Sequence, residues 1–225
     1  VTLYDRDQLE KYALKRADLA VVGEHSIDAV VAALSVGEEL GMTQAQLQQA
    51  ARKITPRPGR MQLLEGVKQS TLIDDTYNAS PAATVAALDY LYSIDSPQRV
   101  ALLGNMNELG GMSRQAHTDI GHYCDPSKLD LVVTLGPDAN DYAAPAAEGE
   151  GCTVIASQSP YEAADIMQKH LKKGAHVLLK GSQNGVFAEE AVKRLLKNPA
   201  DADKLVRQSD FWKTKKRQNF GEAPQ

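Results

Sequence analysis

The stretch 73–81, IDDTYNASP, places two carboxylates, a phenol and an amide between a short apolar run and a helical pattern. We expect Asp75 to lie just past the end of a strand, where a carboxylate can accept hydrogen bonds from a ribose diol. The alternative role is structural. Asp75 or Asn78 could cap the helix that Pro81 opens, because Asn, Asp and Ser are common before a helix that starts with proline. Composition alone favours the capping role.

A glycine-rich stretch, GNMNELGGMS, occupies residues 104–113. Gly104 permits a sharp turn, and the backbone N–H groups of such a loop can hold an anion. The loop lacks the Gly-Lys-Ser/Thr of a P-loop, as does the rest of the sequence, and a βα turn without a ligand is an equal alternative. His117 follows on the next helical pattern, where a packing or surface role is more common than catalysis.

The stretch KGSQNG, residues 180–185, follows the last apolar run. Lys180 and Ser182 should therefore lie at the end of a strand. A lysine in this position could bind a carboxylate or a phosphate, or it could only cap the edge of the sheet.

The elements that must position these residues alternate along the chain from Leu72 onward. Short runs rich in Val, Leu and Ile alternate with segments whose apolar residues are spaced three and four apart. The predicted strands are 71–74, 100–104, 131–136, 153–157 and 176–181, and the predicted helices are 83–93, 113–124, 161–173 and 187–197. This order indicates an α/β fold, a mostly parallel sheet covered by helices on both faces. The carboxyl ends of its strands should share one edge, the usual place for a ligand.

Composition limits the class of protein. The chain has 225 residues, a formal charge of -4 and a pI near 5.8, which argues against nucleic acid as a partner. Its two cysteines, Cys124 and Cys152, lie in no CxxC or Cys/His pattern, so we expect no metal site and no disulfide framework. Without a long apolar run or a signal-like N-terminus, we expect a soluble, cytoplasmic protein that does not contact a membrane.

The first 66 residues have a different pattern. Residues 25–40 and 43–54 read as two helices, the first stopped at Gly41 and the second capped by Thr43. The proline-containing segment that follows should form a loop and then a short strand. We expect residues 1–66 to be the end of a domain, 67–197 to form the α/β domain, and 198–225 to be a polar, basic tail with a mobile end.

Taken together, these stretches, with PGRM at 58–61 and GEHSIDAVVAA at 23–33, resemble the C-terminal part of the Mur ligases over about residues 20–197. The pattern DD-x-YN-A-x-P is most similar to the branch that adds D-alanyl-D-alanine. The resemblance implies a Rossmann-like third domain, preceded by a helical remnant of an ATPase domain whose P-loop is not in this sequence. It also implies an ATP-dependent, Mg²⁺-assisted ligase acting on a UDP-N-acetylmuramoyl-peptide and a D-alanyl-D-alanine-like amine, and we expect a monomer.

The resemblance also implies roles for individual residues. The residues expected at ATP are His25, Arg60, Asp75, Tyr77 and Asn78. The residues expected at the amine substrate are Asn105, Glu108, His117, Lys180 and Ser182. No catalytic residue and no metal ligand is assigned, because the family's lysine and magnesium ligands belong to the P-loop region, and we therefore expect the isolated chain to be inactive.

Four positions depart from the family's usual residues. Ser26 and Ala29 replace two asparagines, Asn105 replaces an aspartate, and Gln183 replaces an arginine. Adenine recognition and the identity of the amine therefore stay open. Two alternatives remain: a stand-alone ligand-binding or partner-binding module, and another amide ligase of the folylpolyglutamate or cyanophycin type.

Overall fold

The computed structural model describes residues 8–221. The chain divides into two compact units, residues 1–57 and 58–225. Among residues 8–221, no helix is both long and apolar enough to span a membrane.

The first unit is helical. Its helices are α1 (Gln8–Lys11), a 3-10 turn (Arg16–Asp18), α2 (Glu24–Glu39) and α3 (Gln44–Ala51). Thr43 caps α3, as the sequence predicts, because its hydroxyl accepts a hydrogen bond from the Gln46 N–H at 3.4 Å while the Gln46 side chain accepts from the Thr43 N–H at 2.8 Å. Gly41, just beyond α2, has a φ of 82°, which suits glycine at a helix end.

The second unit contains a six-stranded sheet in the order β1-β2-β6-β3-β4-β5. Its strands are β1 (Gln62–Glu65), β2 (Thr71–Asp75), β3 (Arg99–Gly104), β4 (Leu131–Leu135), β5 (Val154–Ser157) and β6 (His176–Lys180). Only β1 pairs antiparallel, with β2, and the other pairs are parallel. The five strands predicted from Leu72 onward are confirmed.

Helices lie on both faces of this sheet. The helices of the second unit include α4 (Pro81–Ser93), α5 (Ser113–Tyr123), a π-helix (Ala139–Ala143) that continues into α6 (Ala144–Gly149), α7 (Pro160–His170), α8 (Glu189–Leu195), a 3-10 helix (Pro199–Lys204) and α9 (Asp210–Phe220). Alternate strand residues serve the two faces. Val177 and Leu179 belong to one core with residues of α7 and α8, whereas Leu178 is buried on the opposite face.

The C-terminal segment differs from the polar tail that the sequence suggests. Residues 199–204 and 210–220 are helical, and Lys216 within the basic run is buried. Trp212, Lys216 and Phe220 are spaced four apart, so they share one face of α9. Phe187 contacts both aromatic rings of that face, at 6.1 Å between centroids in each case. The mobility expected at the very end of the chain remains a prediction.

Candidate functional site

The predicted site residues of the second unit gather at the carboxyl end of the parallel strands. Asp75 at the end of β2 lies in register with Lys180 at the end of β6, and Lys180 lies in register with Leu103 near the end of β3. The strand ends are packed closely, because a side chain at Gly104 would bring its Cβ within 2.7 Å of Val186. The motifs of the sequence therefore share one edge of the sheet.

Asp75 and Lys180 form a buried ion pair, here called the strand-end pair. Lys180 Nζ lies 2.6 Å from Asp75 Oδ2, and the two side chains are only 2% and 6% exposed. The second carboxylate oxygen of Asp75 accepts a hydrogen bond from the Met61 N–H at 3.2 Å. Lys180 also donates to the Asn78 carbonyl oxygen at 2.7 Å. Burial lowers the pKa of Lys180, and the Asp75 charge opposes that shift.

The capping role predicted for Asp75 or Asn78 is wrong. The cap of α4 is Ser80, whose side chain accepts a hydrogen bond from the Ala83 N–H at 3.4 Å. Ser80 immediately precedes the proline that opens the helix, so its hydroxyl reaches the first turn. The Asp75 side chain points instead to Lys180 and Met61.

Tyr77 and Arg60 form the exposed part of the turn after β2. The Tyr77 side chain is 44% exposed, and the Arg60 guanidinium carbon lies 4.3 Å from the centroid of its ring. Such a stack is a cation–π contact that keeps the guanidinium N–H donors free at their edges. Arg60 is exposed and Asn78 is half-buried.

Four charged residues beside this turn form a second buried group, here called the C-terminal cluster: Glu189, Glu190, Arg207 and Lys216. Lys216 Nζ lies 2.9 Å from Glu189 and 2.6 Å from Glu190, and Arg207 lies 3.1 Å from Glu189. Burial raises the pKa of Glu189, and the two cations oppose that shift. Sequence reasoning missed this cluster because a basic run is usually a solvated face, although the four-residue spacing of Trp212, Lys216 and Phe220 could have revealed it.

Asp74 points away from Asp75, because adjacent strand residues face opposite sides of the sheet. Its Oδ1 accepts hydrogen bonds from the Thr76 hydroxyl at 2.6 Å and the Thr76 N–H at 3.2 Å. Its Oδ2 is buried without a hydrogen-bond partner. Burial raises the pKa of Asp74 to about 6, with smaller contributions from the nearby charges of Glu189 and Asp75.

The glycine-rich loop is held by side-chain contacts at its base. Asn105 Oδ1 accepts a hydrogen bond from the Ala139 N–H at 2.8 Å, and the buried Ser182 hydroxyl donates to the Asn105 carbonyl oxygen at 2.6 Å. These contacts link the ends of β3, β4 and β6. Glu108 is exposed farther along the loop, with a φ of 66°.

His117 braces the same loop from α5. The ring is 1% exposed. Its Nε2 accepts a hydrogen bond from the Met106 N–H at 2.9 Å, so the proton lies on Nδ1, which is 2.8 Å from the Ser113 carbonyl oxygen. The packing role that the sequence favours for His117 fits both contacts.

His25 lies in the first unit, exposed on the first turn of α2, and the other nine predicted residues lie in the second unit. Among residues 8–221, no three His, Cys, Asp or Glu side chains are arranged to hold a metal ion.

A family model described as "Mur ligase, glutamate ligase domain" matches residues 59–183. The chain is 27% identical over 187 residues to the UDP-N-acetylmuramoyl-tripeptide–D-alanyl-D-alanine ligase of Bacillus subtilis, covering 80% of this chain and 40% of that protein. It therefore spans about two fifths of the length of that relative.

Solved structures give the same likeness. MurF from Acinetobacter baumannii superposes with a TM-score of 0.68 at 27% identity, covering 80% of this chain and 39% of that one. The MurF ligase from Thermotoga maritima in complex with ADP superposes with a TM-score of 0.65 at 26% identity, covering 77% and 38% of the two chains.

Proposed function

Because this chain belongs to the Mur ligase family, we propose that it is the C-terminal portion of an ATP-dependent amide ligase of peptidoglycan precursor synthesis. The enzyme would join a D-alanyl-D-alanine-like amine to a UDP-N-acetylmuramoyl-peptide. The likeness to a D-alanyl-D-alanine ligase and to an ADP-bound MurF structure supports this substrate pair. We further propose that the enzyme is a cytoplasmic monomer.

In the proposed reaction, a carboxylate oxygen of the peptide attacks the γ-phosphorus of ATP, and ADP leaves. The resulting acyl phosphate is attacked by the free amine, which loses a proton as the amide forms and phosphate departs. Catalysis of such a transfer depends on positioning and on cationic groups around the phosphoryl oxygens. We assign no residue of this chain to Mg²⁺, because the family's magnesium ligands belong to the P-loop region, and this sequence has no Gly-Lys-Ser/Thr.

The observation that carries the proposal is the exposed Arg60–Tyr77 stack at the end of β2. Arg60 would reach the nucleotide, because a guanidinium can donate several hydrogen bonds to phosphate oxygens while its face rests on an aromatic ring. Tyr77 and Asn78 would form the wall beside it. Asp75, only 6% exposed, would accept hydrogen bonds from the ribose with the carboxylate lone pairs that Lys180 and the Met61 N–H leave open.

The amine substrate would lie nearer to β3 and β6. Glu108 is the exposed carboxylate of the glycine-rich loop, so it is suited to attract an ammonium group. The other candidates, Asn105, His117, Lys180 and Ser182, already have internal partners. They would act mainly by holding the loop and the strand ends in place.

The test compares Arg60→Met and Tyr77→Leu with the parent enzyme in the complete ligase that contains this segment. Each variant should raise KM for ATP severalfold and leave KM for the amine unchanged. Lys53→Met, a change at an exposed cation of the first unit, is the control. An unchanged KM for ATP in both variants would contradict the nucleotide role. Asp75→Asn is less informative, because it also removes the charge partner of buried Lys180.

The isolated 225-residue chain should release no phosphate from ATP, since its sequence has no Gly-Lys-Ser/Thr. Phosphate release above a buffer control that depends on Mg²⁺ and on Asp75 would contradict this expectation. If the chain bound a ligand while the complete protein formed no amide, a stand-alone binding module would be favoured.

A further inference from the structure

Arg207 reaches the turn after β2 from a part of the chain that lies beyond the family match, which ends at residue 183. Its Nη1 donates to the Thr76 carbonyl oxygen at 3.2 Å, and its Nη2 donates to the Tyr77 carbonyl oxygen. Two consecutive carbonyl groups of the turn thus share one guanidinium. A planar, forked donor is suited to such a pair of acceptors, and an ammonium group is not.

The same guanidinium also contacts the Tyr77 side chain. Arg207 Cζ lies 5.5 Å from the centroid of that ring, and Arg60 Cζ lies 4.3 Å from it. The ring is therefore in cation–π contact with two arginines, of which Arg60 is exposed and Arg207 is only 9% exposed. Arg60 is therefore accessible to a ligand, whereas Arg207 is held inside the protein.

Arg207 is itself held by the rest of the C-terminal cluster. Its Nη1 donates to Glu189 Oε2 at 3.1 Å. Its backbone carbonyl oxygen accepts a hydrogen bond from Lys216 at 2.8 Å, and Lys216 also binds Glu190. The backbone at Arg207 has a φ of 55°, a left-handed conformation that is unfavourable for a residue with a Cβ and persists where surrounding contacts hold it.

We propose that Arg207 is a positioning residue that fixes the Arg60–Tyr77 stack, and that α9 supports it through Lys216. This inference rests on the proposed function, in which the stack forms the nucleotide wall. The segment 198–221 is then an accessory part of the site. It acts on the nucleotide only through Tyr77 and Arg60.

The experiment follows the Arg60 side-chain Nε–H resonance by ¹H–¹⁵N NMR in the 225-residue chain. An aromatic ring 4.3 Å away shifts that resonance, and Tyr77→Leu gives its unstacked position. Arg207→Lys, which keeps the charge but loses the fork, should move the Arg60 resonance toward the unstacked position. The backbone amide resonance of Phe220, whose ring lies 6.1 Å from that of Phe187, checks that α9 stays docked.

Arg194→Lys is the matched control. Arg194 also combines a carboxylate, Asp165 at 2.8 Å, with an aromatic ring, Tyr161 at 5.0 Å, and both of these partners lie on α7. Its replacement should leave the Arg60 resonance in place. If Arg207→Lys does not fold, the double variant Arg207→Gln/Glu189→Gln removes both charges of the pair and is measured in its place.

An Arg60 resonance that stays at its wild-type position in a folded Arg207 variant would overturn the inference. In the complete ligase, the same variant should raise KM for ATP severalfold without changing KM for the amine. If the resonance moves but KM for ATP does not, the positioning role stands and the proposed nucleotide role of the Arg60–Tyr77 stack fails.

Discussion

The strand-end pair and the C-terminal cluster both bury charge beside the turn after β2, but they are built differently. In the strand-end pair, Asp75 and Lys180 face each other because β2 and β6 are in register. In the C-terminal cluster, two cations and two carboxylates come from α8, α9 and the segment between them. In the strand-end pair each charge has a single charged partner. In the C-terminal cluster Glu189 pairs with both cations, and Lys216 pairs with both carboxylates. The cluster should therefore tolerate the loss of one charged group better than the pair does.

The largest effect is expected for Lys180→Met. The change leaves Asp75 buried without its cation, and removal of one partner from a buried pair typically costs about 3–5 kcal/mol. The measurement is the free energy of unfolding from urea denaturation. Lys197→Met, which breaks an exposed pair with Glu65, should hardly change it. If Lys180→Met lowered the free energy of unfolding no more than Lys197→Met does, the strand-end pair would contribute no more to stability than an exposed pair.

The second effect concerns the pH dependence of stability through Asp74. Its pKa is raised by burial to about 6 in the folded protein, from a normal value of 3.8. The folded state therefore binds the proton more tightly than the unfolded chain does. The stability from this group is fully present below about pH 4 and is lost as pH rises through about 6, a difference of about 3 kcal/mol.

Asp74→Asn removes that titration, so the decline in unfolding free energy between about pH 4 and 6 should become shallower. Urea denaturation of both proteins across this range measures the difference. Asp95→Asn, a change at an exposed carboxylate, serves as the control. An identical slope in wild type and Asp74→Asn would show that Asp74 titrates normally in the folded state.

The smallest of the three effects is expected for Lys216→Met. Glu189 keeps Arg207 as a partner, and Glu190, with 8% of its side chain exposed, lies nearer to solvent. Lys216→Met should lower the free energy of unfolding by about 1.5–3 kcal/mol, the usual range for a hydrogen bond to a charged group. Urea denaturation beside Lys180→Met gives the direct comparison. A greater loss than for Lys180→Met would reverse the ranking of the two groups.

Much of the sheet could be predicted because its strands are short runs, rich in Val, Leu and Ile, between helical patterns. The edge shared by Asp75, Gly104 and Lys180 follows from parallel pairing alone. The partner of each side chain could not be predicted in the same way. Which strand lies beside β2 depends on the order of the sheet, and β6 takes that place although β3 comes next along the chain.

The C-terminal segment was harder to predict for a different reason. A run such as KTKKRQ is typical of a solvated face, and nothing in its composition indicates that Lys216 meets two carboxylates. The role of Asp75 was also hidden, because a carboxylate before a proline-led helix fits a cap as well as an ion pair. Ser80 could be recognised as the better cap, since it immediately precedes Pro81.

The position of β6 in the sheet has a consequence for how the protein is made. Until residues 176–180 leave the ribosome, the hairpin of β1 and β2 and the three-stranded piece of β3, β4 and β5 have no strand to join them. Each piece then has an open edge that can pair with another chain. Closure waits for a strand that must insert between two others, which is a slow, non-local step. During synthesis this unit is therefore most prone to aggregate just before its last strand appears.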